Sequence, residues 1–129
     1  MKKSAQQLWT VQKYNVMAKG YHYYKNVQSM VREAETEEDF QNVISYIQEL
    51  ESLSFEKKAV INTFEHIWGY FKKSASKEEK EAFFKALKQY RENGEAMSEK
   101  PPAELIDAVG RLLETYPSAY LENSAFLKK

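Results

Sequence analysis

Apolar side chains recur every three or four residues along almost the whole chain, and this spacing is the strongest constraint on the fold. After residue 39 the apolar positions are Phe40, Val43, Ile44, Ile47 and Leu50. After residue 59 they are Val60, Phe64, Ile67 and Phe71. In a helix of about 3.6 residues per turn, each set lies along one side and forms a stripe that faces a core. Alternating patterns typical of strands extend over only a few residues, so we predict an all-α fold.

We predict about six helices and a short C-terminal turn or helix, arranged as an antiparallel bundle in a single domain that spans residues 1–129. The expected helices cover about 4–19, 21–33, 37–50, 55–73, 77–93 and 102–116, and the short element covers 118–123. The connections between them are short. Helices that follow one another in the chain should therefore pack as antiparallel neighbours.

Two helix starts carry a recognisable capping pattern. Ser76 is followed three positions later by Glu79, which is the Ser-x-x-Glu capping box. Thr36 with Asp39 has the same spacing, although glutamate or glutamine is the commoner partner. We expect each pair to open a helix.

Other boundaries are predicted from single residues. Gly20 is placed to end the first helix in a left-handed conformation, and Ser54 is placed to cap the fourth helix. Asn93 and Gly94 end the fifth helix, and residues 94–101 form a loop. Pro102 suits the first turn of the sixth helix.

The composition excludes several classes of function. The chain has no cysteine, which excludes disulfides, iron–sulfur clusters and thiolate catalysis. It has neither the apolar run of a signal peptide nor the ~18 apolar residues of a membrane span, so we expect a cytoplasmic protein. His22 and His66 lack further ligands at metal-site spacing, and the four glycines are isolated. We therefore expect neither a metal nor a cofactor.

The net charge of zero conceals alternating blocks of charge. Residues 1–32 carry a net charge of +6, residues 33–56 of −8, residues 57–91 of +5 and residues 92–129 of −3. One interpretation is that oppositely charged helices lie side by side. The other is that segments 1–32 and 57–91 converge into one basic face.

Gly69 interrupts the apolar sequence HIWGYFKK. At about 100° per residue, it lies about 180° from Val60, on the opposite side from the apolar stripe. It would form a surface notch bordered by His66, Tyr70 and Lys73. We favour the interpretation that a second helix crosses closely over Gly69, and the alternative is a shallow surface that faces a ligand.

The segment 13–25, KYNVMAKGYHYYK, interleaves lysines with tyrosines. This composition is used to stack nucleic-acid bases and to hold phosphates. It is equally typical of a helix pair whose tyrosines fill a core while its lysines face water. The residues alone leave both interpretations open.

Four segments of the chain resemble the YbgA-like family of bacterial domains of unknown function. The opening Trp…His-Lys-Tyr…Ala pattern of that family is matched at Trp9, Lys13, Tyr14 and Ala18, with Gln12 in place of its histidine. The most specific match contains His66, Gly69, Tyr70, Phe71, Lys72, Lys73 and Lys80. Further matches are Tyr90, Arg91, Gly94, Tyr116, Pro117, Tyr120 and Leu121. The final segment, ENSAFLKK, departs from the Gln-x-Tyr-Leu-x-Pro ending of the family.

The resemblance implies a connection with thionucleosides. Domains of this family are often fused to a cysteine-rich desulfidase that acts on thiouracil or on thiouridine in transfer RNA. The fused partner performs the sulfur chemistry, and the helical domain would help to hold the RNA. We interpret this chain as the stand-alone form of the helical domain, which would work with a separate desulfidase-type protein.

Our leading hypothesis is a non-enzymatic accessory module that binds structured RNA such as transfer RNA. The residues expected to contact phosphates are Lys13, Lys72, Lys73, Lys80 and Arg91. Tyr14 and Tyr70 would stack or donate hydrogen bonds. One alternative is an adaptor that docks a partner enzyme through its acidic third helix or its aromatic surface. A small-ligand enzyme that uses His66 and Tyr70 is the last alternative.

Overall fold

The computed structural model of the chain describes residues 1–128 and places seven α-helices within them. The helices are α1 (Lys2–Lys19), α2 (Tyr21–Glu33), α3 (Glu37–Leu50), α4 (Lys57–Trp68), α5 (Lys77–Asn93), α6 (Ala103–Thr115) and α7 (Ala119–Glu122). A 3-10 helix at Ala125–Leu127 follows α7. The prediction of an all-α fold is confirmed. No helix within the described residues has the length and apolarity needed to cross a membrane.

Both predicted capping boxes are formed. The Thr36 hydroxyl accepts a hydrogen bond from the Asp39 amide, and the Asp39 carboxylate accepts one from the Thr36 amide, each at 3.0 Å. Ser76 and Glu79 exchange the equivalent bonds at 3.1 and 2.8 Å. The backbone donors lower the pKa of both carboxyl groups because they stabilise the charged form.

Helix α1 is buried on two opposite sides. Tyr14 and Ala18 belong to a first core, which α1 shares with α4, α5, α6 and the C-terminal segment. Ala5 and Val16 belong to a second core, which α1 shares with α2 and α3. At about 100° per residue, Ala5 and Val16 lie about 180–200° from Tyr14. Helix α1 therefore has two apolar sides instead of the single stripe of an ordinary amphipathic helix.

Lys19, the last residue of α1, is buried and caps the end of α3. Its Nζ donates hydrogen bonds to the carbonyl oxygens of Leu50 at 3.0 Å and Glu51 at 2.7 Å. The same ammonium lies 4.8 Å from the centroid of the Phe55 ring. These carbonyls belong to the end of a helix, where they have no intrahelical partner and carry negative partial charge. Burial lowers the pKa of Lys19, and the nearby Glu51 carboxylate opposes that effect.

A short antiparallel strand pair corrects the prediction for the start of the fourth helix. Strand β1 (Phe55–Glu56) pairs with strand β2 (Met97–Ser98), which lies in the predicted loop 94–101. Ser54 consequently caps no helix, and α4 begins at Lys57. The Lys57 amide bonds to the Ala96 carbonyl at 2.9 Å instead of to a side-chain cap.

Other predicted boundaries also differ from the structure. Gly20 has φ 168° and ψ 132°, which is extended and not left-handed. A Cβ atom at Gly20 would lie 2.9 Å from both the His22 and the Tyr23 ring, so this bend needs a residue without a side chain. Pro102 precedes α6 instead of lying in its first turn.

Helix α4 ends at Trp68, and not at Lys73 as predicted. The amides of Gly69, Tyr70 and Phe71 each bond to the carbonyl three residues earlier, at 2.9 to 3.1 Å. Such bonds tighten the last turn of a helix and leave the α-helical geometry. Phe71 is nevertheless buried in the first core, so the apolar stripe continues through the turn.

Replacing Lys19 with methionine keeps the apolar stem but removes the ammonium donor from both carbonyls; the Leu50 carbonyl keeps the Leu53 amide as a donor at 3.1 Å, whereas the Glu51 carbonyl loses its bond to Lys19. We expect Lys19→Met to lower the free energy of unfolding by about 1–2 kcal/mol, because the loss of a hydrogen bond to a charged donor costs roughly 1–3 kcal/mol. Urea unfolding followed by circular dichroism measures the change. Lys25→Met, at an exposed position of α2, is the matched control and should change stability by less than ~0.5 kcal/mol. Equal stability of the two variants would show that the cap contributes nothing.

Candidate functional site

Three tyrosines from distant parts of the chain meet beside α1. Tyr14 lies on α1, Tyr70 lies in the turn after α4, and Tyr120 lies on α7. The Tyr14 hydroxyl faces the Tyr70 hydroxyl at 3.4 Å, which is long for a hydrogen bond between hydroxyls. The ring centroid of Tyr120 lies 6.0 Å from each of the other two. These contacts fix the position of the exposed Tyr70 ring relative to α1.

A second aromatic group lies between α1 and α2. The Tyr24 ring centroid is 5.7 Å from Trp9 and 5.4 Å from Tyr21. The Lys13 ammonium lies 5.8 Å from the centroid of the Tyr24 ring, within the range of a cation–π contact. Lys13 and Trp9 are four residues apart on α1, so both project toward α2.

The two groups adjoin one another and together form what we call the aromatic surface. Its members are Trp9, Tyr14, Tyr21, Tyr24, Tyr70 and Tyr120. Tyr24 packs against both cores, and Tyr120 packs against the first core, to which Tyr14 belongs. Tyr70 is 50% exposed and Tyr21 44% exposed, whereas Tyr14 is 5% exposed. The aromatic surface thus has two accessible rings supported by half-buried and buried ones.

Burial and mutual contact raise the pKa of three of these phenols. Desolvation is the largest cause for Tyr14, Tyr24 and Tyr120. For Tyr14 the Tyr70 hydroxyl adds to the effect, and the pKa lies well above the ordinary value of 10.0. These hydroxyls are therefore neutral near neutral pH and can donate as well as accept hydrogen bonds.

Three of the predicted phosphate-binding lysines lie at the corner between α4 and α5. Lys72 and Lys73 lie two and three residues after Tyr70, and Lys80 lies in the first turn of α5; all three are exposed. Lys13 is half-buried beside Tyr24. Lys19, by contrast, is fully engaged at the end of α3 and is not available to a ligand.

Arg91 lies elsewhere. The Lys57 ammonium, at the start of α4, donates a hydrogen bond to the Arg91 carbonyl at 3.0 Å. Lys72 and Lys73 follow the last turn of the same helix. The 12 residues of α4 extend over about 18 Å. The structure therefore separates Arg91 from the other predicted phosphate contacts.

The structure shows the helix pairing that the first interpretation of the charge blocks describes. The basic helix α1 packs against the acidic helix α3, and the amine of Met1 lies 3.7 Å from the Glu37 carboxylate. Helix α1 also packs against α4 through the first core, and Tyr14 meets Tyr70 beyond the end of α4. These contacts bring segments 1–32 and 57–91 together, and a single basic face stays a prediction.

The notch at Gly69 is open to solvent, which corrects our expectation that a helix crosses it. His66, Gly69 and Tyr70 are all exposed. Among the described residues, a Cβ atom at Gly69 would meet only the His66 carbonyl oxygen, at 3.0 Å. Gly69 ends α4 and does not interrupt it. The closed pocket that a catalytic His66 and Tyr70 require is not formed around this residue.

Sequence reasoning missed four members of the aromatic surface. Tyr21 and Tyr24 were seen only as part of a tyrosine-rich segment, and the spacing of Trp9 from Lys13 was not used. Tyr120 is 106 residues from Tyr14, and no local pattern links them. The helical spacing of Trp9 with Lys13 and of Tyr21 with Tyr24 is the signal that sequence reasoning could have used. A helical-wheel plot of segments 9–13 and 21–24 would have identified the part of the aromatic surface that lies between α1 and α2.

Comparison with known proteins gives one result. A family model described as a protein of unknown function, DUF1722, matches residues 13–129. No curated protein and no solved structure matches the chain. The matched range includes the two accessible rings of the aromatic surface and the lysines at the corner between α4 and α5.

The tyrosine pKa values predict how stability depends on alkaline pH. Because folding raises the pKa of Tyr14, its stabilising contribution is complete below pH 10 and is lost as the pH rises above 10. In that range the unfolded chain releases a proton that the folded chain keeps. Each such proton reduces the free energy of unfolding by up to about 1.4 kcal/mol per pH unit. Tyr14→Phe should therefore show a shallower loss of stability between about pH 10 and 12.

Urea unfolding at several pH values measures this slope. Lys19 has a pKa shift of opposite sign, but it is present in both proteins and cancels from the comparison. Equal slopes for Tyr14→Phe and the parent would contradict the raised pKa of Tyr14.

Proposed function

The chain belongs to the DUF1722 family of proteins of unknown function, and from its geometry we propose that it is a non-enzymatic module that binds structured RNA. The aromatic surface would stack on exposed bases. The lysines around it would contact phosphates. This proposal commits to RNA and gives no catalytic role to any residue.

The aromatic surface with Lys13 over Tyr24 is the observation that supports the proposal. Proteins that bind unpaired nucleic acid combine aromatic rings, on which bases stack, with cations that follow the backbone. Tyr21 and Tyr70 offer accessible rings, and no acidic residue occurs in segment 1–32 to repel phosphates. A surface with this chemistry suits a polyanion that has exposed bases.

The phosphate contacts would come from Lys13, Lys72, Lys73 and Lys80. Lys72 and Lys73 follow Tyr70 after the single residue Phe71, so an RNA strand that stacks on Tyr70 would pass near these two side chains. Exposed lysines suit this task because they hold phosphates as mobile point charges. Arg91 would need a second contact region, at the other end of α4.

Transfer RNA is the first RNA to test. The chain resembles YbgA-like domains, which are often fused to a desulfidase that acts on thiouracil or on thiouridine in transfer RNA. In our proposal this chain is a bacterial, cytoplasmic accessory factor that presents transfer RNA to a separate desulfidase-type protein. The absence of cysteine leaves the sulfur chemistry to that partner.

An adaptor that docks a protein is the second candidate. The acidic side chains Glu37, Glu38 and Glu49 are exposed on α3, which favours a basic partner surface. A pull-down with and without nuclease separates the two functions. Loss of the captured partner after nuclease treatment supports the RNA proposal, and a partner that resists nuclease supports the adaptor.

Binding of transfer RNA should weaken steeply with salt, because phosphate contacts by lysine release counterions. The logarithm of the affinity falls with the logarithm of salt by roughly 0.7–0.9 per phosphate contact. Lys72→Glu/Lys73→Glu should bind at least tenfold more weakly at low salt and reduce this slope by roughly two such contacts. Fluorescence anisotropy at 50 and 200 mM salt measures both quantities.

The matched control is Lys100→Glu/Lys128→Glu, which makes the same change in net charge. These two exposed lysines border a surface pocket at the start of α6, away from the aromatic surface. The control should bind within about threefold of the parent at equal salt. Equal losses in both double variants would indicate a general effect of net charge and would contradict a contact at Lys72 and Lys73.

Stacking on Tyr70 is tested separately from charge. Base–aromatic stacking contributes about 1–3 kcal/mol per base, so Tyr70→Ala should weaken binding roughly 5- to 100-fold. Tyr70→Phe keeps the ring and should stay within about threefold of the parent. Because the ring is half exposed, both variants should keep the helical circular dichroism of the parent. A loss in Tyr70→Phe as large as that in Tyr70→Ala would assign the effect to the hydroxyl and not to stacking.

A further inference from the structure

A cleft of about 510 Å³ lies between the start of α2 and the outer side of α4. Its size falls within the range of about 300–1,000 Å³ that is usual for small-molecule sites. Tyr21 borders this cleft and also belongs to the aromatic surface, through its contact with Tyr24 at 5.4 Å. The cleft is therefore continuous with the surface that we propose to bind RNA.

The side chains of the cleft are ordered along α4. Lys58, Ile61 and Glu65 follow one another at helical spacing and lie on one side of the helix. Asn62 lies beside Ile61. Arg91 joins Lys58 at the start of α4, because its carbonyl is held there by the Lys57 ammonium. Two cations thus lie at one end of the cleft and the Glu65 carboxylate at the other, with apolar and amide groups between.

This order matches the parts of a nucleotide. Lys58 and Arg91 are suited to one phosphate, and the Glu56 carboxylate beside them disfavours a second. The ring of Tyr21 and the side chain of Ile61 offer surfaces against which a base can stack. Beside Ile61, Asn62 offers a donor and an acceptor, and at the far end Glu65 offers acceptors only.

We propose that the cleft binds a single unpaired nucleotide whose base carries an amine at pyrimidine C4 or purine C6, that is, a cytosine or an adenine. Glutamate accepts a hydrogen bond from the cytosine amine, and asparagine pairs with the edge of adenine. Uracil presents a carbonyl oxygen where cytosine has its amine, and it would face the Glu65 carboxylate unfavourably. This inference rests on the proposed function, and it gives Arg91 a contact separate from Lys72 and Lys73.

The experiment is a titration of the 15N-labelled protein with mononucleotides at low salt, followed by two-dimensional NMR. We expect CMP or AMP to shift the amide signals of Tyr21, Lys58, Asn62 and Glu65. UMP should bind at least fivefold more weakly, and cytidine, which lacks the phosphate, should also bind at least fivefold more weakly. Arg91→Glu should abolish the shifts, and Glu65→Leu should remove the preference for CMP over UMP.

The double variant Lys100→Glu/Lys128→Glu, at residues outside the cleft and outside the proposed RNA contacts, is the control, and its affinity for CMP should stay within about twofold of the parent. Equal affinity for UMP and CMP, or shifts that centre on the lysines of the corner between α4 and α5, would overturn the inference. So would an absence of shifts in the cleft, even if the protein binds transfer RNA; in that case only the cleft assignment fails. Binding of CMP in the cleft without binding of transfer RNA would instead refute the proposed function.

Discussion

The burial of α1 on two opposite sides is the constraint on which the rest of the structure depends. One side carries Tyr14 and Ala18 into the first core, and the other carries Val16 and Ala5 into the second core. A helix placed in this way cannot shift or rotate without opening both cores, because protein interiors tolerate few voids. At its end, Lys19 holds the last carbonyls of α3 and so joins the second core to strand β1.

The aromatic surface is a consequence of this placement. Trp9 packs at the edge of the second core, and Lys13, four residues later, lies over the Tyr24 ring of α2. Tyr14 is itself a core residue, yet its hydroxyl reaches Tyr70 near the surface. The candidate site is therefore built on helices and a hydrogen-bonded turn, and rigid supports of this kind favour a defined binding geometry. A surface on which bases stack has to hold its rings at fixed relative positions. Loops alone hold side chains less rigidly than helices do.

The existence of the helices and the two starts with capping boxes, at Thr36 and Ser76, were predictable from local patterns, because apolar spacing and capping boxes act within a few residues. The errors occurred where distant segments decide the outcome. Strand β1 forms because Phe55 and Glu56 pair with residues more than 40 positions away. The end of α4 at Trp68 and the open notch at Gly69 depend on how the following turn packs. Tyr120 completes the aromatic surface only through the tertiary fold, so its contact with Tyr14 could not be read from either segment.

The claim that most needs a direct test is that the aromatic surface is the face that meets RNA. The measurement is NMR mapping of the unmodified protein with unlabelled transfer RNA at low salt. Our account predicts that the indole N–H signal of Trp9 and the amide signals of Tyr21 and Tyr70 shift or broaden first. The amides on the outer face of α3, from Glu37 to Glu49, should change least. Changes that centre on α3, or a spectrum that transfer RNA leaves unaltered, would contradict the account.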